Sequence, residues 1–209
     1  MRKRAPKRPA HERRRLILEE AQAVFASDSY AKTATADIGR AAGVSAPAIY
    51  RYFSSKKDLY LSTLRLASER LLGIWKRIFD EGIDPLENVW TIGMAYYDHL
   101  QSRSPVTRLW LRALSEAAGD ARVRAILAKN FAAEVDLLEE NLKRGRARGL
   151  VRRDIDLRIA AWHFMGIGLT FDLINLLGLE DELDRSKVEA WGRLYLESVR
   201  KRDDGAAGS

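Results

Sequence analysis

Ala42-Gly43-Val44-Ser45-Ala46-Pro47-Ala48-Ile49-Tyr50-Arg51-Tyr52-Phe53 is the stretch whose residue types and spacing say most about chemistry. A short helix ends at Ala42, a tight turn follows at Gly43, and a second short helix begins. Glycine takes a left-handed turn backbone without a Cβ clash, and Pro47 falls in a first helical turn, where its missing N–H does no harm. The pattern is a helix-turn-helix, whose second helix fits the major groove of DNA.

Charge supports a polyanion partner for this region. Residues 1–60 hold 13 Lys+Arg and 6 Asp+Glu, a net of +7, whereas residues 61–209 hold 23 of each. The basic excess therefore sits beside the motif, on a body that is electrically neutral and free for another task.

The surrounding elements follow from apolar periodicity and helix-end signals. Residues 1–9, with five basic residues and two prolines, form a basic arm rather than a core. Ile17, Ala21, Val24 and Phe25 share one face of a helix from Ala10 to Ser27. A short helix near Ala34 to Ala42 turns Ile38 and Ala42 inward, and Val44, Ile49 and Phe53 pack the next one against it. Ser55-Lys56-Lys57-Asp58 reads as a capping box opening a long helix to about Asp80. Asp84-Pro85 and Ser104-Pro105 each start a helix, and Asp120 starts one of about 28 residues ending before Gly149. The basic residues at that helix's end suit its dipole. Two more helices are expected, from about Ile155 to Leu177 and from about Arg185 to Arg202, the latter with Ser186 and Glu189 as its capping box. Residues 203–209 read as a frayed tail. The expectation is an all-α fold of about nine helices, with a three-helix DNA-binding domain over residues 10–58 and a ligand-binding and dimerisation domain over 59–202.

Composition removes several classes. The 209-residue chain has no cysteine, so disulfides and thiolate metal sites are excluded. Neither cofactor nor metal is called for. Ile159 to Leu179 approaches bilayer length, but it holds His163, Asp172 and Asn175 and three glycines. The expectation is a buried core or interface helix, with no membrane partner. No glycine-rich phosphate loop, nucleophile elbow or His-Glu-x-x-His motif is present, which argues against an enzyme.

Residues 11–60 resemble the DNA-binding domain of the TetR family of bacterial transcriptional repressors. Phe25, Tyr30, Thr33, Asp37-Ile38, Ala42-Gly43-Val44-Ser45, Tyr50-Arg51-Tyr52-Phe53, Lys56 and Leu59 carry the resemblance, over about a quarter of the chain. It implies that Tyr50 and Lys56 contact phosphates and that Thr33 and Thr35 lie near the DNA backbone. It implies also that Ser45, Ala46, Pro47, Ala48, Arg51 and Tyr52 face the groove. Chemistry agrees: a tyrosine hydroxyl reaches a phosphate without burial, and a lysine at a helix N-terminus adds to an anion-favouring end. Ala36, Ala46 and Ala48 depart from the family pattern. They leave methyl contact with thymine and Arg51 to guanine as the main direct readout. Ser29 replaces a usual glycine. Gly39 replaces a usual alanine, at an expected cost of about 0.8–1.0 kcal/mol to its helix.

A single short recognition helix reads few base pairs, so a homodimer on a near-palindromic operator is expected. Trp162, Ile167, Phe171 and Ile174 exceed what one helix face hides within a monomer. Trp191, Leu194 and Tyr195 form the stripe of the final helix, so two helices per subunit would make a four-helix bundle. The resemblance further implies a small-molecule effector site in the body. Trp90, Tyr96, Tyr97, Trp110, Phe131 and Phe164 are its apolar candidates, with His99 and His163 as polar ones; plain core packing is the competing role for each. The function expected is a cytoplasmic, effector-released repressor. The alternative is a ligand-independent DNA-binding protein of the same fold that answers to a protein partner.

Overall fold

The computed structural model describes residues 9–102 and 105–202. Nine α-helices are found among them, with no strand beyond a single antiparallel bridge. In order they are α1 (Ala10–Ser27), α2 (Thr35–Ala41), α3 (Ala46–Ile49), α4 (Lys56–Glu81), α5 (Pro85–Gln101), α6 (Pro105–Ala117), α7 (Ala121–Ala147), α8 (Leu157–Leu177) and α9 (Arg185–Val199). A 3-10 turn, Glu180–Glu182, precedes α9. The basic arm (all but Pro9), Ser104 and the tail 203–209 lie outside the described residues.

The chain divides into two compact units, and α4 and α7 each run through both. The first unit comprises residues 1–69 and 105–128. It therefore includes α6 and the start of α7, as well as the residues up to 58 expected for the DNA-binding domain. Here α1 packs chiefly on α6 and also on α2, and α2 packs on α3. Ile17, Phe25, Ile38, Ile49, Phe53, Leu64 and Leu109 are fully buried in its core. Burying such side chains is the main force holding α2 and α3, which are too short to persist alone.

The second unit comprises residues 70–104 and 129–209. Its core gathers Trp75 and Phe79 of α4, Leu86 and Ile92 of α5, Leu138 and Leu142 of α7, and Phe171 and Tyr195 of α8 and α9. Asp84 caps α5 by accepting from the N–H groups of Leu86 and Glu87, and Asn88 and Asn141 form a buried amide pair at 3.3 Å. The chain's last helix is tied down beyond its end. Arg152 N–H donates to Val199 O and Lys201 N–H to Leu150 O, on either side of the Val151–Arg200 bridge.

Several expected details change. Asp184, not Ser186, caps α9, accepting from Lys187 N–H at 2.9 Å, and the helix stops at Val199. The α4 cap spreads over two serines. Ser55 Oγ accepts from Asp58 N–H, while the Asp58 carboxylate reaches back to Ser54 N–H at 2.9 Å rather than to Ser55. Gly39 is more than a weak helix residue. A Cβ placed there would lie 2.7 Å from Val44 O, so glycine lets the turn fold back onto α2. Gly43, at φ 64°, takes the left-handed turn as expected.

Within the protomer α8 is covered on one side only, which leaves the interface half of the expectation to its other side. It is the one described helix long and apolar enough to cross a membrane, with a mean hydropathy of 1.3, and only a third of that stretch is buried. Ala161, Met165, Ile167, Phe171 and Asp172 face the core of the second unit. Ile159, Trp162, Leu169, Leu173 and Leu176 remain exposed.

Candidate nucleic-acid interface

Three short segments build the candidate interface in the first unit. Val44 N–H donates to Gly39 O at 2.8 Å, closing the turn between α2 and α3. Ser45 precedes α3 in extended backbone, and Pro47 stands in the first turn. One-turn hydrogen bonds from Arg51 to Ala48 O and from Tyr52 to Ile49 O carry the coil on past α3. Ile49 and Phe53 point into the core, so the opposite side presents Ser45, Pro47, Tyr50 and Arg51, all exposed. Ala46, Ala48 and Tyr52 are half-buried beside them.

Tyr50, half exposed, is positioned by its neighbour: its Oη lies 3.2 Å from Thr35 Oγ1 at the start of α2. This places Thr35 and Tyr50 together, as a pair of hydroxyls on one edge. Thr33 is placed differently. It is 5% exposed and its hydroxyl donates to Ser29 O at 3.0 Å, so its side chain secures the loop instead of facing outward. That acceptor is the backbone carbonyl of Ser29, which a glycine there would supply equally.

Lys56 sits at the first residue of α4. Its Nζ donates to Ala31 O at 3.3 Å and lies 4.6 Å from the Tyr30 ring centroid. Lys57 lies equally close to Tyr30 and reaches Asp120 at 2.6 Å. That hydrogen bond, with the N–H groups of Val123 and Arg122, holds Asp120 down to about 2. Both lysines are thus anchored against Tyr30, a cation–π arrangement that keeps a positive charge at the start of α4. The tie from Asp120 to Lys57, together with Glu116 accepting from Tyr30 N–H and Arg112 donating to Ser27 O, fastens the α6–α7 corner to this face. The sequence carried no readable sign of these last contacts, because they join segments some 60 to 90 residues apart.

The expected effector residues do not gather around one cavity. Trp110 belongs to the first unit, whereas Trp90, Tyr96, Tyr97, His99, Phe131, His163 and Phe164 belong to the second. His99 and His163 are exposed, so neither is an enclosed polar group; His163 stands edge-on to Tyr195. Phe164 packs edge-on to both Trp75 and Tyr195, Trp90 covers Gly192, and Tyr97 and Phe131 pack against the core. Two clefts of about 370 and 650 Å³ are lined instead by the ends of α4 and α7, the start of α5 and the segment before α8. Tyr96 donates to the buried Asp172 carboxyl at 2.6 Å.

The expected dimer residues also divide. Ile167, Phe171 and Tyr195 are buried within the protomer, and Ile174 and Trp191 are half-buried. Trp162 and Leu194 are exposed. A helix that is apolar all round offers no way to tell its inner face from its outer one, which is why both sets looked alike.

A sequence profile described as bacterial regulatory proteins, tetR family, matches residues 17–63, the span of this interface. Among curated proteins, the transcriptional repressor KstR2 of Mycolicibacterium smegmatis is 28% identical over 155 residues, 73% of each chain. The transcriptional activator FasR of the same organism is 29% identical over 156 residues, 71% of each chain. Among solved structures, the fatty acid degradation regulator FadR from Bacillus halodurans superposes with a TM-score of 0.72. It is 21% identical and covers 87% of this chain and 97% of its own. Residues 17–63 are thus similar to the TetR family, and the curated relatives are transcriptional regulators. With these relatives the chain is read as a DNA-binding transcriptional regulator and not an enzyme. Its family-matched segment begins within α1 and ends in the second turn of α4, so it includes α2, α3 and Lys56 but not the Asp120 tie.

Proposed function

We propose that this protein is a dimeric TetR-family repressor that binds a near-palindromic operator and is released from it by a small effector with a largely apolar body. The observation that carries the DNA half is the outward edge of Ser45, Pro47, Tyr50 and Arg51, with Ile49 and Phe53 securing it from behind. Tyr50, Thr35 and Lys56 are assigned phosphate contacts. Ser45, Ala46, Pro47, Ala48, Arg51 and Tyr52 are assigned to the groove, with Arg51 as the polar base reader. Few side chains here can hydrogen-bond a base, so sequence-dependent DNA shape supplies part of the specificity. Thr33 is withdrawn from this set because its hydroxyl is already engaged.

Dimerisation is assigned to the exposed side of α8. Ile159, Trp162, Gly166, Leu169, Leu173 and Leu176 recur at alternating intervals of three and four, the spacing of one helix seam. A Cβ at Gly166 would meet nothing, so the middle of this seam is open to a second helix. Leu194 of α9, 63% exposed, adds to the same kind of surface. The effector is assigned to the second unit. The effector acts by binding the DNA-incompetent state more tightly, which is the only way a ligand shifts such a balance.

Footprinting of genomic fragments with the pure protein at two salt concentrations tests this. Near-palindromic protected sites are expected, with log K falling against log salt at a slope of roughly −5 to −7 if each half-site makes three to four phosphate contacts. Even coating of DNA with no protected site refutes the operator reading.

A further inference from the structure

Two carboxyls and an amide are buried in the second unit with no cation paired to either carboxyl among the described residues. Asp172 on α8 is 8% exposed and accepts one hydrogen bond, from Tyr96 of α5. Glu134 on α7 is 5% exposed and close enough to Tyr96 to bear on its phenol. Asn130 is one helical turn before Glu134 on the same face of α7, 8% exposed, and its Nδ2 has no hydrogen-bond partner. Among the described residues no lysine, arginine or histidine pairs with either carboxyl. Burial alone pushes Glu134 up to about 7, and burial outweighs the Tyr96 bond in raising Asp172 to about 6.

Buried carboxyls elsewhere in proteins are held by cations, metals or several donors, because an uncompensated buried charge is costly. Here carboxyls of α7 and α8 bear on Tyr96 of α5, Asn130 Nδ2 one turn before Glu134 has no partner, and neither carboxyl meets a cation among the described residues. Apolar groups border the arrangement: Gly168 leaves the Tyr96 ring against α8, and Phe171, beside Asp172, stands edge-on to Trp191.

We propose that the effector carries an ammonium head, received between Asp172 and Glu134 next to Tyr96, with its apolar body among the surrounding rings. Asn130 meets an acceptor atom of the same ligand. This rests on the effector reading of the second unit and gives that effector a chemical class.

Calorimetric titration of the full chain at pH 8 with hexylammonium, 1-hexanol and hexanoate tests it. Hexylammonium is expected to bind at least tenfold more tightly than 1-hexanol, and hexanoate not at all. Glu134→Gln and Asp172→Asn should each weaken hexylammonium at least tenfold and bring it toward the hexanol value. Equal uptake of hexylammonium and hexanol, a preference for hexanoate, or full hexylammonium affinity in both variants overturns the ammonium assignment. If a preferred uncharged or anionic probe also frees operator DNA, the effector reading survives that result. No uptake of any probe overturns both. Where a variant fails to fold, the order of the three probes on the unaltered chain decides the matter.

Discussion

Tyr50 and Thr35, fifteen residues apart and on different helices, share a hydrogen bond of 3.2 Å between their hydroxyls. The pair joins the start of α2 to the end of α3, so the edge we propose for DNA is set by a contact on that edge itself. On that proposal a phosphate oxygen arriving there accepts a hydrogen bond from a hydroxyl whose orientation is already fixed.

Tyr50→Phe and Thr35→Val should therefore each weaken operator binding by roughly fivefold per half-site, about 1 kcal/mol for one hydrogen bond. The double variant should lose less than the sum, because both changes break one pair. Fluorescence anisotropy with the footprinted operator, alongside thermal melts showing unchanged folding, reads this. Strict additivity would mean that the two hydroxyls act independently.

Replacing Gly39 by alanine is expected to destabilise the first unit, although alanine is the better helix former. The added carbon sits 2.7 Å from Val44 O, a backbone atom that cannot swing aside. Overpacking of this kind costs about 1–3 kcal/mol and outweighs the gain of about 1 kcal/mol in helix propensity. Urea denaturation decides the sign; a more stable Gly39→Ala variant would show that the turn adjusts.

Leu173→Glu with Leu176→Glu should give a folded monomer that fails to protect its operator. Both side chains are more than half exposed in the protomer, at 51% and 60%, so charging them leaves its core intact. Light scattering after size exclusion measures the mass directly. A variant that stays dimeric would move the interface off the α8 seam.

Stability of the second unit should fall as pH rises from about 5 to 7. In the unfolded chain Glu134 ionises near its ordinary 4.5, whereas burial holds its proton to about 7 in the folded state. The folded state thus binds more protons across that window, and the slope of stability against pH is negative there. The loss reaches at most about 3 kcal/mol and is complete above pH 7. Asp172, raised from 3.8 to about 6, adds a loss of the same sign beginning lower. Glu134→Gln should flatten the descent between pH 6 and 7. Denaturation midpoints at several pH values read it, and a midpoint that rises through pH 6 to 7 would contradict the burial of the Glu134 carboxyl.

Local signals carried the reading of the sequence furthest. The limits of α1, the Gly43 turn and the Asp84 and Asp120 caps are each set by residues within four positions of one another, and all can be read along the chain. What depends on which neighbour covers a face could not be read. Phe171 and Leu173 look alike in the sequence, yet one is buried and the other half exposed. Asn130 and Glu134 did leave a trace. They occupy the same stripe as Leu127, Leu138 and Asn141, all buried, so a polar residue at an apolar position was there to be noticed. The carboxyl–phenol pair of Asp172 and Tyr96, 76 residues apart, left none.

The two backbone rungs beside Val151 and Arg200 make the end of the final helix and the strand of chain leaving α7 a single mechanical part. Anything that displaces the last turn of α7 must either carry the far end of α9 along with it or break those rungs. Leu194 lies just over one helical turn from that joint, so its outward-facing side chain is geared to the position of a helix it need not touch.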